Sequence, residues 1–251
     1  MTPTAVSPPA PAPPLAARLW FAWVLVANAL VLLVLWVPGM LDLKLHRTAR
    51  TLQRWARPWS WTALSLAGIR VETVLEPGAE ATPTGPVVYV ANHQAMADIP
   101  VLVLAIREPF LFVARVALAR LPLIGSVLKA SVCVFLDRSQ PGGGEAALAE
   151  AEARLALGES VLFFPEGTRR YAGPPGPFFA GAFRLAARAG VPVVPVAIGG
   201  SHRLSNERER TARPGRVRVG IGAPLRPEPG ETPEALAERA RGHVARLLGG
   251  L

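Results

Sequence analysis

The sequence contains a single cysteine, Cys133, among its 251 residues. One thiol forms no intrachain disulfide, so disulfide bonds do not hold this fold together. Cys133 lies in the apolar run 131–137, where a small core residue is expected. No cysteines and histidines cluster with the spacing of a zinc site. The sequence therefore predicts that the protein holds no metal and needs no cofactor.

Lysine is nearly absent as well, because Lys44 and Lys129 are the two lysines and arginine supplies the remaining basic charge. The formal net charge of +9 suggests an acidic partner, either nucleic acid or a phosphate-rich membrane surface. No stretch alternates basic with aromatic residues in the way that a stacking platform for bases requires. Much of the excess charge lies within 41–70, beside a long apolar segment. A membrane surface is therefore the predicted partner, and no nucleic acid is expected.

Charge is missing from that apolar segment. Residues 19–37, LWFAWVLVANALVLLVLWV, contain no charged side chain, and Asn28 is their single strongly polar residue. At a rise of about 1.5 Å per residue, such a helix is just long enough to cross a hydrocarbon core of roughly 30 Å. A cleaved signal peptide is disfavoured, because one basic residue, Arg18, precedes the segment and no small-residue cleavage site follows it. We therefore predict a membrane-associated segment.

Basic residues follow the apolar segment at once, as Lys44, Arg47, Arg50, Arg54 and Arg57. Such residues tend to remain cytoplasmic and attract anionic lipids, which predicts that the rest of the chain lies on the cytoplasmic face of the inner membrane. Spacings of three and four place the arginines largely on one face, the pattern of an interfacial amphipathic helix over 41–68. The sequence leaves open whether the apolar segment spans the membrane or both helices dip into one leaflet.

Composition divides the chain into a disordered or extended Pro/Ala-rich tail (1–14), a membrane-associated helical region (15–70) and an α/β domain (71–251). Pro38-Gly39 is expected to end the apolar helix, and Pro58 to bend or interrupt the amphipathic one. Alternating strand and helix patterns predict a single α/β domain with a largely buried mixed sheet flanked by helices. Its strands are predicted at 87–91, 131–137, 160–165, 191–198 and 216–221, and its helices open at 98 and cover 145–157, 182–189 and 232–248.

A histidine and a carboxylate, His93 and Asp98, follow the first of these strands. On one continuous helix they would point roughly 140° apart, so they meet only if a turn intervenes. The carboxylate would then accept a hydrogen bond from imidazole Nδ1 and leave Nε2 free to deprotonate a hydroxyl. The alternative is that Asp98 simply caps a helix and His93 is an ordinary loop residue.

A second polar set follows the strand predicted at 160–165. It consists of Glu166, Gly167, Thr168, Arg169 and Arg170, and Arg138 similarly follows the strand predicted at 131–137. Glycine allows successive backbone N–H groups to face an anion, and arginine offers a planar fork that matches phosphate oxygens. The predicted role of Glu166 is to orient an arginine or to hold the loop. A solvated turn with surface arginines is the alternative, but open α/β sheets bind ligands at such strand ends.

Four blocks in this order resemble the glycerolipid acyltransferases, and most of all the lysophosphatidic acid acyltransferases of bacterial membranes. The blocks are NHQAMAD with His93 and Asp98, VFLDRS with Arg138, FPEGTR at 164–169, and VPVVPVAI at 191–198. Each block alone is weak, but the ordered set is specific and covers roughly residues 85–200.

The resemblance implies that His93 is the general base and that Asp98 orients it. It further implies that the acceptor's phosphate is bound by Arg138, Glu166, Gly167, Thr168 and Arg169. A region near the acyl donor would be formed by Val194, Pro195 and Val196. The acyl donor would be a thioester of coenzyme A or of acyl carrier protein, and no nucleophilic serine is needed, in keeping with the lack of a G-x-S-x-G sequence.

The implied reaction acylates the sn-2 hydroxyl of lysophosphatidic acid to give phosphatidic acid. The acceptor is otherwise a lyso-ornithine lipid or another lysophospholipid. A hypothesis of another class is a basic, membrane-anchored binding protein without activity.

Overall fold

The structure, a computed structural model, describes residues 14–79, 85–120, 124–131, 133–137, 139–171 and 173–251. The predicted Pro/Ala-rich tail, residues 1–14, lies outside the described residues except for Pro14. Two helices open the described chain, α1 (Leu15–Leu45) and α2 (Ala49–Leu66).

The first helix continues beyond its predicted end at Pro38-Gly39, so that prediction is wrong. The close approach of α2 explains the continuation. The Trp55 ring of α2 packs closely against Gly39, and a Cβ at position 39 would lie 3.4 Å from that ring. Trp55 Nε1 also donates to Asp42 Oδ2 at 2.8 Å. The chain instead leaves the helix at His46, and Thr48 caps α2 by accepting a hydrogen bond from the Thr51 amide.

The second helix runs through Pro58 without an interruption. A mid-helix proline removes one backbone hydrogen bond, but α2 buries Ala63 and Leu64 beneath the sheet, and this packing outweighs the loss. Arg57, which the sequence places on the arginine-rich face, turns toward the α/β domain. Its Nη2 donates to the carbonyls of Ile106 and Arg107 at 2.6 Å each.

Seven strands form the main sheet, in the order β1-β9-β6-β2-β5-β3-β4. The β6/β9 pair is antiparallel and the other neighbouring pairs are parallel, so the sheet is mixed, as predicted. The remaining elements are β1 (Ile69–Leu75), β2 (Val88–Ala91), α3 (Asp98–Ala105), β3 (Phe110–Arg115), a 3₁₀ turn (Val116–Arg120), α4 (Ile124–Ala130), β4 (Val134–Leu136), α5 (Gly143–Ala156), β5 (Ser160–Phe163), α6 (Gly181–Ala189), β6 (Val193–Gly199), α7 (Ser201–Leu204), a hairpin of β7 (Ser205–Asn206) and β8 (Thr211–Ala212), β9 (Gly215–Ile221) and α8 (Pro233–Gly249).

Helices cover both faces of the sheet, which confirms the predicted α/β class. Along β2, Val88 and Val90 pack with residues of α5, α6 and α8, whereas Tyr89 and Ala91 pack with residues of α2 and α3. Adjacent side chains of a strand point to opposite faces, so an uninterrupted apolar run such as β2 requires cover on both sides. The central strands are therefore buried, and polar side chains collect at their ends.

Helix α1 is long and apolar enough to cross a membrane, and it lies against both α2 and the α/β domain. Near its start, Trp20 Nε1 donates to the carbonyl of Ala67 at 3.3 Å. Farther along, Trp36 Nε1 donates to Ser126 Oγ at 2.8 Å, and Leu43 is buried. The opposite face of α1 exposes large apolar side chains, among them Leu19, Val26, Leu30, Leu33, Val37 and Leu41.

Candidate active site

The carboxyl ends of three neighbouring parallel strands, β2, β5 and β3, meet at one edge of the sheet. The loop 92–97 leaves β2, the loop 164–171 leaves β5, and Arg115 ends β3. Asn92 marks the point where the chain leaves β2. Its Oδ1 accepts from the Ile198 amide at 2.7 Å and its Nδ2 donates to the Ile198 carbonyl at 3.0 Å, so the side chain extends the pairing with β6.

The predicted turn between His93 and Asp98 is present and brings the two side chains together. His93 Nδ1 lies 2.8 Å from Asp98 Oδ2, and the same oxygen accepts from the amides of Gln94 and Ala95 at 2.6 and 2.9 Å. Asp98 is fully buried. Its carboxylate thus faces back into the loop instead of capping α3, and three donors hold it.

The hydrogen bond to Asp98 determines which imidazole nitrogen can take a proton. A carboxylate only accepts hydrogen bonds, so Nδ1 carries the hydrogen and Nε2 keeps its lone pair. Among the described residues, no group bonds to His93 Nε2. The ring stacks on Phe164, with centroids 4.0 Å apart and planes inclined by 17°, and the side chain is 17% exposed. The histidine is therefore oriented from two sides and still accessible.

Glu166 connects the β5 loop to the His93 loop. Its Oε1 accepts from the His93 amide at 3.0 Å, and its Oε2 accepts from the Gly176 amide at 2.9 Å and pairs with Arg170 Nε at 3.3 Å. The Arg170 amide in turn donates to the His93 carbonyl at 2.7 Å. Glu166 is buried and its oxygens are engaged, so it positions the loop, and its place in the predicted phosphate site stays a prediction.

The other residues predicted around the phosphate lie at the tip of the same loop. Gly167 has a φ of +66°, the left-handed region that glycine tolerates, and Thr168 next to it is exposed. Arg169 is 35% exposed on its side chain. Arg138, the remaining member of the predicted set, lies outside the described residues, and its role stays a prediction.

Two residues near this loop had no predicted role. Arg115, which ends β3, donates from Nη2 to the carbonyl of Gly167. Its place at the end of an apolar run was a sequence signal that could have found it. Glu207, in the β7/β8 hairpin, pairs with Arg169 at 3.1 Å. No sequence signal links it to a residue 38 positions earlier.

Val194, Pro195 and Val196, predicted near the acyl donor, lie inside β6. All three are buried, and Val194 and Val196 belong to the core between the sheet and helices α2 and α3. The structure does not bring them to the cluster of His93 and Arg169. Packing accounts for these residues, and contact with the acyl donor stays a prediction.

A second histidine lies behind the His93 loop. His202 Nδ1 is 3.0 Å from Oε1 of the buried Gln94, which Ser201 Oγ also approaches at 3.4 Å. Burial, followed by the nearby Arg203, lowers the pKa of His202, so this ring is neutral near pH 7. It supports Gln94 as a packing residue. Across the described ranges, no three His, Cys, Asp or Glu side chains gather closely enough to hold a metal ion.

Comparison with known proteins shows which family the chain resembles. The family model described as Acyltransferase matches residues 74–199. A 1-acyl-sn-glycerol-3-phosphate acyltransferase of Chlamydomonas reinhardtii is 32% identical over 233 residues, which cover 92% of this chain and 69% of that protein. A protein of the same name from Pseudomonas aeruginosa is 34% identical over 203 residues, covering 78% and 76% of the two chains.

The fold also has a solved counterpart. The crystal structure of the 1-acyl-sn-glycerophosphate acyltransferase from Thermotoga maritima superposes with a TM-score of 0.71 at 24% identity, covering 94% of this chain and 95% of that one. The α/β fold and the names of these relatives define the class of protein, a transferase. Within that class, the chain belongs to the acyltransferase family.

Proposed function

We propose that the protein transfers a fatty acyl group from an acyl thioester to the sn-2 hydroxyl of lysophosphatidic acid, which gives phosphatidic acid. The observation that carries this proposal is the 2.8 Å contact between His93 and Asp98 at the sheet edge that also bears Arg169. The names of the algal and Pseudomonas relatives support the same reaction. Family membership alone would leave the acceptor open.

The chemistry follows from the protonation state of His93. Nε2 takes the proton of the sn-2 hydroxyl as that oxygen attacks the thioester carbonyl, and Asp98 stabilises the imidazolium that results. When the tetrahedral intermediate collapses, the C–S bond breaks and the thiolate receives the proton from Nε2. Histidine is thereby returned to its starting state. Since the thiolate leaves readily, no covalent intermediate on the enzyme is needed.

Arginines around the loop supply the charge that a phosphomonoester requires. Arg169 is partly exposed at the loop tip, and Arg115 approaches the same loop from β3. A planar guanidinium binds two phosphate oxygens at once, which fixes the direction of the glycerol backbone relative to His93. We assign the phosphate of the acceptor to this pair, with Arg138 as a further predicted contact.

The acyl donor is proposed to be acyl-coenzyme A or an acylated carrier protein, used as a co-substrate without any other cofactor. We also propose that α1 inserts its exposed apolar face into the cytoplasmic leaflet without crossing the bilayer. A spanning helix has its ends on opposite sides of a core of roughly 30 Å. Here both Trp20 and Trp36 bond to the same folded body.

Labelling tests this arrangement of α1. Arg18→Cys and Leu45→Cys, each in a Cys133→Ser background, place one exposed thiol near either end of the helix. A membrane-impermeant maleimide added to inverted vesicles, whose cytoplasmic face is outward, is expected to label both variants equally. Protection of one end would show that α1 crosses the bilayer.

The reaction is tested by thiol release and by transfer of labelled acyl groups with the purified full chain. The donors are acyl-coenzyme A and acyl carrier protein, and the acceptors are lysophosphatidic acid, lyso-ornithine lipid, another lysophospholipid and monoacylglycerol. Lysophosphatidic acid is expected to be acylated fastest. Arg169→Ala should raise KM for the phosphate-bearing acceptor about 10- to 100-fold, because a charged hydrogen bond is lost. If none of the acceptors supports thioester turnover and the protein binds nucleic acid in a salt-sensitive way, the binding-protein hypothesis is favoured.

A further inference from the structure

Glu207 joins the two loops of the site. It lies in the short β7/β8 hairpin, outside the four sequence blocks. Its Oε1 accepts from the Met96 amide at 2.8 Å and from Ser205 Oγ at 3.2 Å. Its Oε2 accepts from Arg169 Nη1 at 3.1 Å and lies 3.5 Å from the Tyr171 hydroxyl. One carboxylate thus contacts the turn between His93 and Asp98 and the loop after β5.

The environment of this carboxylate separates it from an ordinary surface ion pair. The Glu207 side chain is 18% exposed and that of Arg169 is 35% exposed. A fully exposed pair contributes little, since water competes and both side chains lose rotamer entropy. Here the Met96 amide and the Ser205 hydroxyl also bond to the carboxylate, so its position does not depend on Arg169 alone.

We propose that Glu207 is a positioning residue that presents Arg169 to the phosphate of the acceptor, an inference that rests on the proposed function. A guanidinium has five N–H donors, and the pair with Glu207 engages Nη1. The other donors remain for phosphate oxygens. Because the same carboxylate holds Met96, it also fixes the separation between the arginine and the catalytic turn. Preorganisation of this kind lowers the cost of ordering a long side chain when substrate binds.

A competing role for Glu207 predicts the opposite effect on phosphate binding. If Glu207 mainly neutralised Arg169, its removal would strengthen phosphate binding, and Glu207→Gln would do so as well. Positioning instead requires hydrogen-bond acceptors at the right place and tolerates the loss of charge. The carboxamide oxygen of Gln still accepts from Arg169 or from Met96, whereas Ala offers no acceptor at all.

Steady-state kinetics of the full-length enzyme with lysophosphatidic acid and with monoacylglycerol test the proposal. Glu207→Ala is expected to raise KM for lysophosphatidic acid about tenfold, with a smaller change in kcat, and to leave KM for monoacylglycerol within about twofold. Glu207→Gln should stay within about threefold of the parent for both acceptors. Lower KM values in both variants, or equal losses with both acceptors, would overturn the proposal.

A double-mutant cycle with Arg169→Ala shows whether Glu207 acts through the arginine. In the Arg169→Ala background, Glu207→Ala should no longer raise KM for lysophosphatidic acid. Persistence of the full tenfold effect would contradict the proposal. If Glu207→Ala does not fold, Glu207→Asp replaces it in the cycle. Its side chain is one methylene shorter and falls short of Arg169, so an increase in KM is again expected.

The matched control is Glu209→Ala, which removes the same charge from the same hairpin at an exposed position. It should leave kcat and KM unchanged. A tenfold rise in KM for Glu209→Ala would mean that the effect of Glu207 comes from the net charge of the hairpin. Failure of the proposed function is seen separately. It appears as no turnover of lysophosphatidic acid by the parent enzyme, whereas failure of this inference leaves the parent active and the Glu207 variants unaltered in KM.

Discussion

Two histidine–carboxylate pairs occur in this fold, with nearly the same separation and very different surroundings. His93 and Asp98 lie 2.8 Å apart at the carboxyl ends of the central strands. His243 and Glu76 lie 2.6 Å apart, where β1 ends beside helix α8. Distance alone does not distinguish the two pairs. Their neighbours do.

The second pair has a buried imidazole and a partly exposed carboxylate. His243 is 7% exposed, and its Nε2 is the atom that bonds Glu76. The Ala223 amide also donates to Glu76 Oε2 at 2.9 Å, and a Cβ on Gly222 would come within 3.0 Å of His243 Nε2. This pair ties the end of β1, the segment after β9 and helix α8 together. Its hydrogen bonds are all between parts of the fold.

The first pair has its carboxylate buried and its imidazole partly open. Asp98 is held by backbone amides, the Nε2 edge of His93 has no partner among the described residues, and Arg169 lies on the adjoining loop. A general base needs a free nitrogen and a place for substrate beside it. Under the proposed function, this contrast supports His93 as the general base and gives His243 a structural role, although both histidines have a carboxylate partner.

Replacing each histidine by alanine is the strongest test of this assignment. His93→Ala should lower the rate of acyl transfer about 10²- to 10⁴-fold, the range for loss of a general base. His243→Ala should leave kcat and KM close to those of the parent while it lowers stability. Transfer of labelled acyl groups to lysophosphatidic acid measures the first effect. Circular dichroism and flotation with liposomes confirm that the His93 variant remains folded and membrane-bound.

The opposite pattern would break the comparison. An active His93→Ala enzyme removes His93 from its role as general base, and an inactive but well-folded His243→Ala enzyme would place the chemistry at the second pair.

The carboxylates give the next largest contrast. Asp98→Asn should lower kcat about 100-fold, because an amide neither stabilises the imidazolium nor fixes the Nδ1–H tautomer. Glu76→Gln, the same chemical change in the other pair, should leave kcat within about twofold. Transfer of labelled acyl groups to lysophosphatidic acid measures both effects. An Asp98→Asn enzyme with the kcat of the parent would show that the carboxylate does not support His93 in catalysis.

Sequence patterns predicted the central part of this fold well, because the buried strands are continuous apolar runs bounded by turn residues. The elements that escaped prediction include β1, β3, the short helices α4 and α7, and the β7/β8 hairpin. Strand β1 lies at the sheet edge and carries charged residues in alternation, so it lacks the apolar run. Strand β3 is largely apolar, and periodicity does not separate such a run from part of a helix.

The site was predicted where it depends on local sequence and missed where it depends on topology. His93 and Asp98 are five residues apart, and a turn between them was a local inference that the structure matches. Arg115 and Glu207 reach the site through the order of strands β2, β5 and β3 and through the hairpin that follows β6. No spacing in the sequence encodes those contacts. The helix end expected at Pro38-Gly39 and the interruption allowed for at Pro58 are absent for a similar reason, since tertiary packing of α1 and α2 outweighs the local cost of proline.

A smaller effect concerns stability against pH. Burial opposes ionisation of Glu76, but hydrogen bonds from the Ala223 amide and His243 outweigh it and hold the pKa of this carboxyl below its usual value. A carboxyl group whose pKa is lowered by folding stabilises the protein above its unfolded pKa, and this stabilisation is lost as pH falls through the folded value. Glu76→Gln should therefore cost about 1 kcal/mol at pH 7 and less near pH 4. Urea midpoints at the two pH values measure the difference, and an equal loss at both would exclude the ionised carboxylate as its source.

The smallest expected effect is on the rate at which the buried thiol of Cys133 is alkylated. This rate also checks the other variants, since it reports whether the fold around the thiol has opened. Burial, aided by Glu150, raises the pKa of this thiol to about 12, and Sγ donates to the Phe112 carbonyl at 3.0 Å. Iodoacetamide at pH 8 should leave the native enzyme unmodified and alkylate it in urea, because only the accessible thiolate reacts. If the two histidine–carboxylate pairs differ as argued, His243→Ala loosens the attachment of α8 and speeds alkylation of Cys133 severalfold. His93→Ala should leave the rate of alkylation at the parent value. Equal acceleration in both variants would mean that His93 also supports the fold, and the loss of activity in His93→Ala would then not identify a general base.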